Sequence, residues 1–278
     1  MNVLILGLGA GSWDIRGRQL GGALGARVTA DPTPDDIAWS DVIVLVKRAI
    51  AHFGDLARRS GRPVVWDVLD WWTQPAQNRL TAVEACTLVR RAAWPGLALV
   101  GATRAMADAI GGAYLPHHAW PGLTPAPARA HVRLVAYQGA PHYLGRWAAW
   151  VADACAARGW QFVVNPTDLR EADLLVAFRD GPWDGWICRE WKSGVKAVNA
   201  IAAGRPLISQ DAAAIREIQP CGSLVETPEA LGLAFDQWAC PEARTLVADV
   251  SRDRALAYTL PSVAAQYRTV LERQACLA

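Results

Sequence analysis

A chain of 278 residues is long for one hydrophobic core and suits two domains, at roughly 100 to 200 residues each. Hydrophobic residues make up 52% and charged residues 19%, a balance that excludes disordered, coiled-coil and collagen-like chains. The 28 basic and 26 acidic side chains leave a formal charge of +2, too small a bias to imply a nucleic-acid or membrane surface, so any anion site must be local.

Residues 3–6 (VLIL) are a short apolar run leading into the glycine-rich loop 7–11 (GLGAG), which predicts a buried strand turning tightly into a helix. That helix covers residues 16–24 and stops at Gly25, and a second strand over 26–30 ends at Asp31. Strands at 42–46, 64–68, 97–100 and 113–115 then alternate with helices near 49–59, 79–92 and 104–110. Such alternation predicts a parallel sheet with helices on both faces. Residues 116–130 carry four prolines and no periodicity, the mark of an interdomain linker. The pattern restarts with strands at 132–136, 161–164, 174–178, 206–208 and 223–225, helices at 146–158, 195–203 and 212–218, and further helices beyond. The predicted fold class is α/β, with two Rossmann-like doubly wound domains over 1–120 and 131–255. Ligands of such pairs bind outside the carboxyl ends of the strands, in the cleft between the domains.

No apolar run reaches the roughly 18 residues of a membrane-spanning helix, and the first strand begins without a charged leader. The chain is therefore expected to be cytoplasmic, with no transmembrane segment. Cys86, Cys155, Cys188, Cys221, Cys240 and Cys276 show neither CxxC nor cysteine–histidine metal spacing, so free thiols and no metal site are expected. Only three of the 28 basic residues are lysines, and two of these, Lys192 and Lys196, stand within five positions. A compact ammonium suits phosphate oxygens approached end-on. Of the 14 tryptophans, Trp71, Trp72, Trp120, Trp183, Trp186 and Trp191 lie in loop-like context, where a flat indole face can stack on a sugar or a base.

The richest segment is 191–208 (WKSGVKAVNAIAAGRPLI), continued by IREI at 215–218 and GSLV at 222–225. Ser193 and Gly194 can open a helix whose free N–H groups, with Lys192 and Lys196, make an anion site. Lys196 and Asn199 are three apart and share a helix face, so a cation and an amide can meet one ligand such as a diphosphate with its ribose.

These residues resemble the retaining, nucleotide-sugar-dependent glycosyltransferases of GT-B fold, whose signature runs P-x-K-x-x-E-A-x-A-x-G-x-P and then I-x-E-x-x-x-x-G-x-L-V. Lys196, Ala200, Ala202, Gly204, Pro206, Glu217, Gly222, Leu224 and Val225 stand in register with it. Residues 64–72 (VVWDVLDWW) are similar to the family's V-V-Y-D-x-x-D strand end, and 103–109 with 115–117 to its S-x-x-L-A and L-P-N-G closure. Residues 258–267 resemble its terminal helix, which implies that 256–278 crosses back to the first domain. The sequence also departs from the signature: Asn199 replaces the ribose-binding glutamate, Trp191 stands where the other signature glutamate belongs, and no permanent cation follows the second domain's first strand.

The resemblance implies donor binding by the second domain and transfer of a sugar from a nucleoside diphosphate sugar to an acceptor hydroxyl. Arg179, at a strand end, and Lys192 are candidates for the missing charge. Gly11, Ser12, Ser193, Lys196, Asn199 and Glu217 complete the expected donor set. Catalysis needs stabilisation of the leaving diphosphate and placement of the acceptor, roles given to Arg179, Lys196 and Asp70. Trp13, Arg16, Asp67, Trp71 and His117 are expected on the acceptor side, with His118 also within reach of the cleft. No metal and no bound cofactor are expected; the nucleotide sugar is a co-substrate, and the acceptor is a glycan, a small molecule or a modified nucleic acid. Two alternatives stand beside this reading. Gly7, Gly9, Gly11 and Asp31 approximate a dinucleotide fingerprint of a nicotinamide-dependent oxidoreductase, and arginine clusters at 58–62 and 90–91 could serve a transferase acting on a hydroxylated DNA base.

Overall fold

The computed structural model describes residues 1–276 apart from Ala10 and Trp71. Two parallel sheets form the chain's two halves. In the first, β1 (Val3–Leu6), β2 (Arg27–Thr29), β3 (Val42–Val46), β4 (Val64–Asp67), β5 (Ala98–Gly101) and β6 (Ala113–Tyr114) take the order β2-β1-β3-β4-β5-β6. Their continuous apolar runs follow from burial on both faces. A π-helical stretch, Trp13–Gln19, flows into α1 (Leu20–Leu24), which ends at Gly25 in the left-handed conformation. The π stretch starts three residues before the helix predicted from periodicity.

The connecting helices are α2 (Pro34–Trp39), α3 (Ala49–Arg59), α4 (Ala82–Ala92) and α5 (Arg104–Ile110). Reading by apolar period misses α2, which buries no residue; a Thr33–Asp36 capping box and Pro34 in the first turn set it up instead. Residues 115–133 contain no helix or strand.

The second sheet contains β7 (Leu134–Tyr137), β8 (Gln161–Val164), β9 (Leu174–Ala177), β10 (Leu207–Ser209) and β11 (Gly222–Leu224), in the order β11-β10-β9-β7-β8. Its helices are α6 (Trp147–Ala156), α7 (Trp186–Glu190), α8 (Val195–Ala203), α9 (Ala213–Ile218), α10 (Pro228–Ala239) and α11 (Pro241–Leu256). The last helix, α12 (Leu260–Cys276), returns to the first half and buries Val263, Ala264, Tyr267 and Leu271 in the core under β1, β3 and β4.

In both sheets the first strand lies between the second and the third, so the chain reverses direction across the sheet at β1/β3 and at β7/β9. Those are the topological switch points where doubly wound sheets bind ligands. The loops after β1 and β3 carry Ser12 and Lys47, and those after β7 and β9 carry Gln138 and Arg179.

All six cysteines are free thiols. Among the described residues no helix is long and apolar enough to cross a membrane, and no group of three or more His, Cys, Asp or Glu is placed to hold a metal ion.

Candidate active site

The site grows from the N-terminus of α8. Gly194 precedes that helix because a Cβ there would collide with Ile218 of α9, and no side chain caps the turn. Its first backbone N–H groups thus face the pocket formed with Ser193, Val195, Lys196 and Ala197, a ready anion site. The pocket measures about 620 Å³, its open mouth included.

Lys196 extends over the Tyr137 ring, with Nζ 3.9 Å from the ring centroid. This cation–π seat is its strongest attachment, because Lys196 makes no ion pair among the described residues. Burial, then the neighbouring Arg179 and Lys192 charges, holds its ammonium well below the usual lysine range. Arg179 leaves the end of β9 with its guanidinium 4.9 Å from the Tyr143 ring. Its backbone N–H donates to the Gln210 side-chain oxygen Oε1 at 2.7 Å, while the buried Nη1 has no hydrogen-bond partner. By contrast, Arg189 on the rim is neutralised by Asp184 at 2.6 Å and Glu226 at 2.7 Å.

Lys192 joins this pocket to the first domain by an ion pair to Asp70 Oδ2. The other oxygen, Oδ1, takes Lys47 Nζ at 2.8 Å and lies 3.4 Å from the Ser12 hydroxyl. The Gln74 amide donates to Oδ2 at 3.1 Å. Burial opposes ionisation of Asp70, but Lys192 and Lys47 outweigh it and hold the carboxyl far below the usual range. For Lys192, burial lowers the pKa against the pull of Asp70. Lys47 and Leu69 flank this cluster in the left-handed region at φ 55° and 47°, a costly backbone state for residues with a Cβ and one that concentrates at functional sites. The chain's three lysines therefore all reach one cleft.

Lys47 is the residue that motif reading missed. The signal was present in the composition, because a chain that otherwise uses arginine kept a third lysine at a strand end.

Several expected site residues lie elsewhere. Trp13 is 4% exposed and packs between Gly7 and Gly17, where a Cβ on either glycine would strike its indole. Gly7 thus makes room for a core tryptophan, and Trp13 offers no acceptor surface. Arg16 and Asp67 are fully buried and pair at 3.5 Å, with Arg16 Nη2 donating to the Leu115 carbonyl at 2.5 Å. Burial raises the Asp67 pKa against that pairing. These two groups pair inside the first domain's core and present no surface to the cleft. His117 is 2% exposed, with its pKa held well below the usual value by burial and by Arg16.

Glu217 also leaves the expected donor set. Its two carboxylate oxygens accept the backbone N–H groups of Arg104 at 2.9 Å and Ala105 at 3.0 Å, which caps α5 across the interdomain boundary. Asn199, 2% exposed, accepts the Trp120 N–H at 2.8 Å and donates to Gln138 at 2.6 Å, so both ends of its amide are engaged. Trp191 is 1% exposed and packs with Trp72 and Trp186, at ring centroid distances of 6.0 and 5.4 Å, in the first domain's core cluster. An indole at this position anchors the second domain to the first, where a carboxylate could not be buried without a partner. Gly11, at φ 63°, closes the loop after β1 with its N–H on Asp14. Trp71 lies outside the described residues.

No family model and no curated protein matches the chain. Solved structures do. Anabaena HepE, solved in complex with UDP and glucose, matches with a TM-score of 0.67 over 98% of this chain and 100% of its own, at 12% identity. AviGT4, a glycosyltransferase involved in avilamycin A biosynthesis, gives 0.61 over 100% of this chain and 98% of its own, at 14% identity. The chain has the GT-B glycosyltransferase fold. A further match, spinosyn rhamnosyltransferase SpnG complexed with thymidine diphosphate, gives 0.55 over 97% of this chain and 100% of its own, at 17% identity. In each case the likeness spans both sheets and the cleft that carries the lysine cluster.

Proposed function

We propose that the chain is a glycosyltransferase that takes a sugar from a nucleoside diphosphate sugar and passes it, with retention, to an acceptor hydroxyl in the cleft. The observation that carries this reading is the pair Arg179 and Lys196. Both are cations without a carboxylate partner among the described residues, and they stand at the bare N-terminus of α8. HepE and SpnG, which share the fold, were solved with UDP and with thymidine diphosphate, ligands of the charge such a pocket suits.

In the transfer, the bond from the anomeric carbon to the diphosphate oxygen breaks, the acceptor oxygen bonds to that carbon on the same face, and the acceptor's proton passes to the departing diphosphate oxygen. Negative charge grows on the leaving diphosphate as its bond lengthens, so cations fixed there stabilise the transition state more than the bound donor. Arg179, Lys192 and Lys196 supply them, and a pocket with three cations has no need of a divalent metal. Asp70, ionised in the loop after β4, would orient the acceptor hydroxyl.

The test is thermal stabilisation and calorimetry with UDP, thymidine diphosphate and their sugars, in buffer containing a chelator, on the wild type and Lys196→Ala. A ligand that binds only the folded state raises the melting temperature. Loss of one charge-assisted contact, worth about 1.5–3 kcal/mol, should weaken the diphosphate about tenfold to a hundredfold. Wild-type affinity in a folded Lys196→Ala variant would remove the phosphate assignment.

A further inference from the structure

Beside the cationic pocket lies a second groove of about 460 Å³, open mouth included, and Val195 lines both. Three parts of the chain build it: Ile15 and Gln19 from the π-helical stretch of the first domain, His118 and Trp120 from the segment between the domains, and Gln138 with Asn199 from the second domain. Among the described tryptophans Trp120 alone is exposed, at 47%. It is also held in place. Asn199, with the two hydrogen bonds given above, fixes the Trp120 backbone against Gln138.

Gln138 spends its carbonyl oxygen on Asn199, and its NH2 group makes no hydrogen bond among the described residues; the Gln19 amide makes none at either end. The lining contains no Asp, Glu, Lys or Arg, and burial lowers the His118 pKa against the pull of the Ala119 and Ile15 carbonyl oxygens that face its two ring nitrogens. An indole face, one free amide, the free NH2 of a second and no carboxylate, lysine or arginine make a poor seat for a phosphate or a carboxylate, which would lose water without gaining a countercharge. A pyranose ring suits it. Its C–H face can lie on the indole, and its hydroxyls, both donors and acceptors, can meet amide groups of either kind.

We infer that the groove walled by Trp120, Gln19 and Gln138 binds an uncharged glycoside, and that this is the acceptor. The word acceptor rests on the glycosyltransferase reading, whereas glycoside binding does not. The shared Val195 wall puts a ring on Trp120 next to the α8 N-terminus, so an acceptor hydroxyl has a short path to a sugar carried by a diphosphate there. Asn199 acts as a positioning residue for the groove.

Saturation-transfer NMR with methyl glucoside, mannoside, galactoside and rhamnoside, glucose 6-phosphate, glucuronate and a short single-stranded oligonucleotide tests the inference. At least one neutral methyl glycoside should bind through its C–H face. Trp120→Ala should weaken it tenfold or more, Trp120→Phe should retain most of the binding, and Gln19→Ala should weaken it severalfold. The Trp120 side chain is half exposed, so these variants should stay folded, and an unchanged UDP or thymidine diphosphate titration serves as the control. Absence of glycoside binding, equal binding by Trp120→Ala, or preference for the charged sugars or the oligonucleotide would overturn the inference. Glycoside binding without any nucleoside diphosphate binding would keep the groove and refute the transferase reading, and the reverse result would keep that reading and refute the groove.

Discussion

Asp70→Asn separates the cost of the lysine cluster from its use. The carboxylate is 12% exposed and receives Lys47, 26% exposed, and Lys192, 19% exposed. At an effective dielectric of about 20, each pair gains about 4 kcal/mol at 4 Å before desolvation, and removing one member of a fully buried pair costs about 3–5 kcal/mol. Both lysines can recover some water, so about 2–3 kcal/mol is the expected loss on neutralising Asp70. A chain of this size should then melt about 5–10 °C lower, at about 2–4 °C per kcal/mol. Donor affinity should move the other way. Lys192 would no longer be held by a carboxylate that a diphosphate must displace, and one freed charge-assisted contact, about 1.5 kcal/mol, corresponds to about tenfold tighter binding. On the role proposed for Asp70, turnover should fall as well. Scanning fluorimetry and calorimetry with UDP and thymidine diphosphate read both effects. A folded Asp70→Asn protein that binds diphosphate more weakly would refute the competition argument and show that Asp70 holds Lys192 in position for its ligand.

Three further outcomes follow from the same geometry. Because burial and two neighbouring cations lower the Lys196 pKa from its ordinary 10.5, a bound diphosphate should raise it again; binding should take up protons and weaken as pH rises through the depressed value. Calorimetry in two buffers of different ionisation enthalpy measures that uptake, and none anywhere below the usual lysine range would contradict it. The group's effect on stability has the opposite sign: in the window between the depressed value and 10.5 the unfolded chain binds more protons, so this contribution to unfolding free energy rises with pH. Glu217→Ala leaves the Thr103 cap on α5 but removes the acceptor of the Arg104 and Ala105 N–H groups, which should cost about 1 kcal/mol and speed amide exchange at residues 104–105, while diphosphate affinity stays within about twofold; a large loss of affinity would return Glu217 to the donor site. Gly7→Ala drives a methyl group into the Trp13 indole and should cost about 1–3 kcal/mol as an overpacked core position, measured by denaturant unfolding.

Strand positions and the main helices were legible because both sheets are parallel and buried, so β1, β3 and β4 appear as unbroken apolar runs and Gly25 and Gly204 mark helix ends by their left-handed backbone. The 192–196 segment was legible for a local reason, since a helix N-terminus and two lysines lie within five residues. What sequence could not show is direction. Trp13, Arg16 and Asp67 stand at the loop-proximal positions where acceptor residues are expected, but their side chains turn into the core, where Arg16 and Asp67 find each other and Trp13 fills the space left by two glycines. Glu217 sits in register with the signature, yet its nearest unsatisfied donors belong to α5, more than a hundred residues earlier in the chain. Such pairings depend on how two domains dock, and no periodicity within either domain encodes that. Trp120 and Gln138 come together for the same reason, through Asn199 at a separation of 79 residues from the one and 61 from the other.

The choice of lysine at positions 47 and 192 has a physical basis in how Asp70 is shared. Each ammonium takes one carboxylate oxygen, Lys47 at Oδ1 and Lys192 at Oδ2, so neither monopolises the group. An arginine at position 192 could close a bidentate fork on both oxygens and would have to break two parallel hydrogen bonds to reach a phosphate. A lysine breaks one, and its flexible stem can swing the charge from the first domain's carboxylate to the second domain's pocket. Arg179, which pairs with no carboxylate among the described residues, is placed differently. Its guanidinium carbon lies 4.9 Å from the Tyr143 ring centroid and its backbone is tied to Gln210, which suits a charge that stays where it is. Fixed charge from Arg179, a cation–π seat for Lys196 and an exchangeable charge on Lys192 are what the proposed diphosphate would meet, and the ion pair that now bridges the domains is the one it would have to break.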